Sequence, residues 1–247
     1  MFFADINCDM GEGMATDEAI MPYISSANIA CAYHAGDAAI MMRTVELCIK
    51  HHVAIGAHPS FPDRENFGRT EMDLHEDMIY ELVTQQLFLL NEIAGAADAA
   101  MRHVKPHGAL YNLSARNMTV AKTIAKAVKD FNKDLVLYGL SGSCSILAAK
   151  AAGLKTANEV FADRTYQDDG SLTPRSQPNA LIENADRAIQ QVLQMVKCST
   201  VTSVNENKIT VIADTVCIHG DGKQAVSFAK AIHEALIKEG IQIKPVL

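Results

Sequence analysis

The sequence predicts an α/β protein whose parallel strands close, or nearly close, into one barrel spanning 1–247. Three observations point there. Strand-like and helix-like stretches alternate seven times along 247 residues, with no break in composition, internal repeat or low-complexity tract. The helical stretches run long enough to serve as right-handed crossovers between parallel strands. Polar side chains gather where the strands end, the place where barrels of this kind build sites. The length allows one barrel-sized domain or two small ones, and seven units in one unbroken chain fit the single barrel better.

Each element follows from local pattern. Phe2 to Asn7 reads as a first strand and Asn28 to Ala32 as a second. A helix from Ala38 to His51 takes Asp37 as its N-cap, with Met41, Val45 and Cys48 on one face. Val53 to Ala57 is a third strand. Asp73 and Glu76 have the outline of a capping box, opening a helix in which Ile79, Leu82, Val83, Gln86, Leu87 and Leu90 recur at helical spacing. Arg102 to Lys105 is a fourth strand, before a helix marked by Val120, Ile124, Val128 and Phe131. Leu135 to Leu140, the helix Cys144 to Ala152 and Thr156 to Phe161 continue the alternation. Leu181 to Val196 reads as helical, Val211 to Ile218 as the seventh strand, and Val226, Ala229, Ile232 and Leu236 as the last helix. Between them, Phe161 to Pro178 reads as a structureless stretch of the kind that forms lids and binding loops.

Composition narrows the classes. Hydrophobic residues at 49% and charged residues at 21% are ordinary globular usage, excluding wholesale disorder. The net charge of −7 and the lack of a Lys/Arg run argue against non-specific nucleic-acid binding. Six scattered cysteines without a CxxC pair read as reduced thiols, no uncharged apolar run reaches membrane-spanning length, and the N-terminus lacks a basic leader; the expected compartment is the cytoplasm.

The strand ends carry the chemistry. The first delivers Asn7, Asp9 and Glu12, the second His34 and Asp37, and the third His58, then Asp63, Arg64 and Arg69. The fourth delivers Lys105, His107, Tyr111 and Asn112, the sixth Glu159, Asp163 and Arg164, and the seventh His219 and Asp221. Any one of these could be a cap or turn former; their coincidence on one rim is what signals a site. His51, His52, His75, His103 and His233 read as structural. Histidines among carboxylates suit proton transfer near neutrality or a divalent metal, and Lys105, Arg64, Arg69 and Arg164 suit a carboxylate or phosphate. HExxH, a Walker A loop and a complete nucleophile elbow are absent, which disfavours a Ser-His-Asp hydrolase and favours activated water. Gly139 to Ser143 reads as a strand-to-helix turn, with anion binding at the helix start as the alternative.

The strings Asp5-Ile-Asn-Cys-Asp-Met-Gly-Glu12, Ser26-Ala-Asn28 through His34-Ala-Gly-Asp37, Gly56-Ala-His-Pro-Ser-Phe-Pro-Asp63 with Phe67-Gly-Arg69, Lys105-Pro-His-Gly-Ala-Leu-Tyr-Asn112, Glu159-Val-Phe-Ala-Asp-Arg164 and Cys217-Ile-His-Gly-Asp221 span nearly the whole chain. In that order they resemble the LamB/YcsF lactam-utilisation family. One departure is Ala32, where that family usually has Gly.

The resemblance implies a distorted (β/α)7 barrel similar to polysaccharide deacetylases. It implies ATP-dependent 5-oxoprolinase activity, with this chain as the A component working together with partner subunits B and C. In that reaction 5-oxo-L-proline, ATP and water give L-glutamate, ADP and phosphate. On that reading Asp9, Glu12 or His107 acts as general base, and Lys105 and Arg164 meet the substrate carboxylate or phosphate. Asn7, His34, His58, Arg64, Tyr111, Glu159, His219 and Asp221 surround the substrate. ATP, with Mg2+, is expected to be bound largely by or shared with the partners, and a further divalent metal stays open. Two other readings remain: a stand-alone metal-dependent amidase or deacetylase using His34, His58 and His107, and a non-catalytic substrate-binding subunit.

Overall fold

The computed structural model describes residues 2–219 and 225–246. Seven parallel strands close a barrel: β1 (Phe3–Met10), β2 (Ser26–Ala30), β3 (Ala54–His58), β4 (Met101–Val104), β5 (Val136–Leu140), β6 (Lys155–Phe161) and β9 (Thr215–Ile218). β9 pairs with both β6 and β1, which completes the ring. A short β10 (Gln242–Ile243) adds to the start of β1, and β7 (Thr200–Thr202) and β8 (Lys208–Thr210) form a separate antiparallel hairpin.

The outer layer comprises α1 (Asp17–Ile20), α2 (Ala38–His51), α3 (Glu76–Ala96), α4 (Gly108–Arg116), α5 (Met118–Phe131), α6 (Cys144–Ala152), α7 (Ala185–Cys198) and α8 (Ala225–Lys238). Their apolar stripes meet the outward-facing strand residues. In β1 these are Ala4, Ile6, Cys8 and Met10, all fully buried. Because strand side chains alternate, Asp5, Asn7 and Asp9 point the other way, into the barrel, and climb towards the C-terminal mouth. Asp5 is the polar floor: it accepts hydrogen bonds from Ser25 Oγ (2.6 Å), Ser26 Oγ (2.8 Å), Thr215 Oγ1 (2.6 Å) and Tyr138 Oη (3.0 Å), tying β1 to three other strands and to the turn before β2.

Asp37 caps α2 as its sequence position implies, accepting from the Ile40 amide at 2.9 Å. Several boundaries differ from the sequence reading. α3 starts at Glu76 with His75 as its cap, so Asp73 lies outside it. Leu181 to Glu183 lie outside the helix, Leu181 bridging Arg164, and Asn184 caps α7 through the Arg187 amide at 2.9 Å. The seventh barrel strand begins at Thr215 rather than Val211, and just before it Asp214 Oδ2 accepts from the amide and side chain of Asn158 (both 2.8 Å). The stretch from Phe161 to Pro178 is ordered: Tyr166 bridges Leu172, and Thr165 Oγ1 donates to Asn179 O at 2.7 Å. α1, α4, β10 and the β7–β8 hairpin were not read from the sequence, being short or weakly patterned. Among the described residues no helix is long and apolar enough to cross a membrane.

Candidate functional site

A cavity of about 740 Å³ opens at the C-terminal mouth of the barrel. Asp9, Glu12, His58, Lys105, His107, Tyr111, Arg164 and His219 line it. Asn7, His34 and Glu159 lie directly behind, in hydrogen-bond contact with those lining residues.

Lys105 is the hub. It follows β4 immediately, and its Nζ, almost wholly buried, stands 2.8 Å from Glu159 Oε1 and 2.9 Å from Asp9 Oδ1. It also lies 3.1 Å from Asn7 Oδ1 and 3.2 Å from Cys217 Sγ. Burial opposes its charge, but Asp9, Cys217 and Glu159 hold the ammonium well above its usual range. Burial likewise favours a neutral Asp9, yet His58 and Lys105 outweigh it and keep the carboxyl well below its usual value. Asn7 and Asn28 complete the frame: Asn7 Nδ2 donates to Glu159 Oε1 (3.0 Å), and Asn28 Nδ2 donates to Asp9 Oδ1 (2.9 Å). Among the described residues, two buried atoms beside this hub find no hydrogen-bond partner at normal geometry, Glu159 Oε2 and Tyr111 Oη. Burial, then the charge of Glu159 beside it, raises the Tyr111 phenol well above its usual range.

Three histidines form a second group. His34 and His107 stack with ring centroids 3.8 Å apart and planes 6° from parallel, and His58 meets both edge-on. His107 Nδ1 is 2.8 Å from His58 Nε2, and His34 Nε2 is 3.1 Å from Glu12 Oε1. Burial pushes His34 down to about 4, and burial with His58 and His34 nearby lowers His107 well below its usual range. The loop 63–70 covers this group. Asp63 organises it by accepting from the Thr70 amide and from Asn66 Nδ2, both at 2.9 Å. Gly68, at φ +68°, lets the loop pass close: a Cβ there would lie 2.9 Å from both His34 Cβ and His107 Cδ2.

On the opposite wall Asp163 binds His219 Nδ1 at 2.7 and 2.9 Å. One nitrogen of that ring lies within 4.8 Å of an Asp9 oxygen and of Cys217 Sγ. Burial raises Asp163, but His219 beside it prevails and lowers its carboxyl below the usual value. An Asp that fixes one imidazole nitrogen while the ring faces a cavity is the arrangement of a positioned proton acceptor. Arg164 spends Nη2 on Thr173 O (2.6 Å) and Nε on Ala180 O (3.3 Å), so it also holds the 163–182 segment against the mouth.

Most residues predicted from the sequence therefore converge. Arg64 does not: its Nη1 clasps Ala32 O (2.7 Å) and Gly36 O (2.9 Å), bracing two loops outside the cavity. Asp221 lies outside the described residues. Sequence reasoning passed over the role of Asp163 and the lining positions Phe67, Phe161 and Arg175, whereas the turn before α6, read as a strand-to-helix turn with anion binding as the alternative, also lines the cavity. Asp163 stood beside Arg164 in a polar strand end, but only the fold turns it towards His219.

Comparison with known proteins identifies the family and the fold. A curated protein of Tolumonas auensis, named as the A subunit of 5-oxoprolinase, is 51% identical over 245 residues, covering 97% of this chain and 98% of its own. One of Geobacillus kaustophilus with the same name is 52% identical over 244 residues, covering 97% and 95%. The crystal structure of a lactam utilization protein from Thermus thermophilus superposes with a TM-score of 0.93 at 38% identity, covering 99% of this chain and 100% of that one. A family 4 carbohydrate esterase from Streptomyces lividans shares the fold alone, with a TM-score of 0.55 at 11% identity over 100% of this chain and 93% of that one. The sequence model of the LamB/YcsF family matches residues 4–247, and the chain belongs to that family.

Proposed function

We propose that this chain is the lactam-opening subunit of an ATP-dependent 5-oxoprolinase, converting 5-oxo-L-proline to L-glutamate while ATP becomes ADP and phosphate, in the cytoplasm and in complex with subunits B and C. The observation that carries the reading is a single cavity in which a buried, charged Lys105, an Asp163-held His219 and the buried Tyr111 Oη converge. The names of relatives about half identical along nearly the whole chain supply the substrate.

A five-membered lactam is a stable amide, so its opening is coupled to ATP. Transfer of the γ-phosphoryl group to the lactam oxygen gives ADP and an imidate phosphate. Water, losing a proton to His219, adds at the former carbonyl carbon. The ring nitrogen takes a proton and leaves as the amine, and a second water hydrolyses the remaining acyl phosphate to carboxylate and phosphate. Lys105 stabilises charge on the lactam oxygen, and Asp9, held ionised and thus a weak base, fixes Lys105 and His58. Arg164 and Arg175 supply positive charge for the substrate carboxylate. ATP enters with Mg2+ and is held mainly by the partners, since the chain has no Walker A sequence.

Purified chain mixed with B and C, 5-oxoproline and ATP should yield glutamate and ADP, and omission of any one component should stop both. His219→Ala and Asp163→Asn should lower kcat by about 10²-fold or more with smaller changes in KM, and Lys105→Ala should abolish turnover. Near-normal turnover in His219→Ala would remove it as the base, and near-normal turnover in Lys105→Ala would reject the site.

A further inference from the structure

We propose that Glu12, His34, His58 and His107 hold a divalent transition-metal ion, zinc by donor type. The argument is a hydrogen-bond account of the three rings. His34 Nδ1 lies 2.8 Å from Ser60 Oγ, whose own proton goes to Phe61 O at 3.0 Å, so Nδ1 must be the donor. A neutral His34 then presents a bare Nε2 to Glu12 Oε1 at 3.1 Å, an acceptor facing an acceptor. His58 Nδ1 donates to Lys105 O at 2.7 Å, so a neutral His58 leaves Nε2 bare, facing Asp9 Oδ2 at 3.3 Å as well. His107 Nε2 donates to Phe67 O at 2.9 Å, which leaves Nδ1 bare. Those two bare nitrogens face each other at 2.8 Å.

Four lone-pair atoms thus converge within 4.8 Å of one another with no donor among them. Either extra protons or a cation must sit there. Protons alone would require one shared between Glu12 and His34 and a second charging His58 or His107, all inside this buried group. One divalent ion satisfies all four donors at once. The outer nitrogens are also anchored as those of metal-binding histidines are, each donating to an oxygen that fixes tautomer and ring direction.

Three imidazoles and one carboxylate favour zinc and its neighbours over magnesium. Tetrahedral zinc with bonds of about 2.1 Å separates its ligands by about 3.4 Å. The separations of 2.8, 3.1 and 3.6 Å lie close to that, so the His58–His107 pair has to open by roughly half an ångström. Glu12, His58 and His107 line the cavity, so the ion would sit at its wall. Both nitrogens of His107 are then engaged, which leaves His219 to accept the proton. That last consequence rests on the lactam-opening reading; the metal site itself does not.

The test uses the full chain alone, stripped with chelator and titrated with Co2+, without ATP or lactam. We expect one ion per chain with the intense visible bands of four-coordinate cobalt. Affinity should fall by at least about tenfold in His34→Ala and His107→Ala and stay unchanged in His75→Ala, whose ring is exposed. No stoichiometric binding by the wild-type chain, a six-coordinate aqua spectrum, or equal affinity in all variants would overturn the site. The wild-type titration decides even if a variant misfolds. Failure here with ATP-dependent turnover intact in the complex removes only the metal. Metal binding with lactam opening that needs no ATP removes the coupled reaction instead.

Discussion

His103 and Ala32 are positions where one atom or one torsion has a measurable consequence. His103 is fully buried, donates through Nε2 to Asn28 Oδ1 at 2.8 Å and leaves Nδ1 without a partner. Burial, with Lys105 nearby, pushes it down to about 3 from 6.5. The unfolded chain therefore takes up a proton near pH 6.5 that the folded chain refuses until about 3. Stability contributed by the neutral ring is present above pH 6.5 and is lost as pH falls, approaching about 1.4 kcal/mol per unit below it. Denaturant titrations of His103→Gln between pH 4 and 6 should show a slope smaller by about one proton; an unchanged slope would contradict the assignment. Ala32 has φ +67°, a left-handed conformation costly for a residue with a Cβ. Ala32→Gly should stabilise by about 0.5–1 kcal/mol after the added freedom of the unfolded chain is deducted, read as a higher urea midpoint at constant m-value. A lower midpoint would mean the turn gains from the methyl group. That position was partly legible in the sequence, where Ala32 is the one departure from the family resemblance.

The elements were legible in proportion to their pattern. α2 and α5 carry strong apolar stripes and local caps, and both lie where the periodicity puts them. α7 starts later than its pattern suggests because Leu181 is used in a bridge to Arg164, a contact between residues distant in sequence. Asn184 is therefore the functional cap, and Asn184→Ala should cost about 1 kcal/mol of stability, measured by thermal or urea unfolding. No loss would mean the helix start is held by its packing alone. Strand-to-strand fit is equally specific. A Cβ on Gly56 would lie 2.0 Å from His103 Nε2 on the adjacent strand, so β3 and β4 approach only because residue 56 has no side chain. Gly56→Ala should destabilise by about 1–3 kcal/mol or more, and His103→Ala should rescue part of that loss. Absence of rescue would place the damage elsewhere than the ring.

At the scale of the whole molecule, alternation along the strands builds both core and site. One face of β1 supplies apolar residues to the helices, and the other supplies Asp5, Asn7 and Asp9 to the barrel interior, ending at the mouth. The barrel and most of its rim were readable because polar strand ends recur in sequence order. The partnerships were not: Lys105 with Glu159, His58 with His107 and Asp163 with His219 join residues 54, 49 and 56 positions apart, set by closure of the ring. Arg64 shows the converse, a cation at the right strand end that closure turns onto the Ala32 and Gly36 carbonyls. The central claim is that this mouth receives the lactam. A crystal structure of the chain with subunits B and C and 5-oxo-L-proline tests it most directly. The account predicts the lactam ring in the cavity, its oxygen within hydrogen-bond reach of Lys105 and its carbonyl carbon facing His219; a lactam bound wholly to a partner, with this cavity vacant, would contradict it.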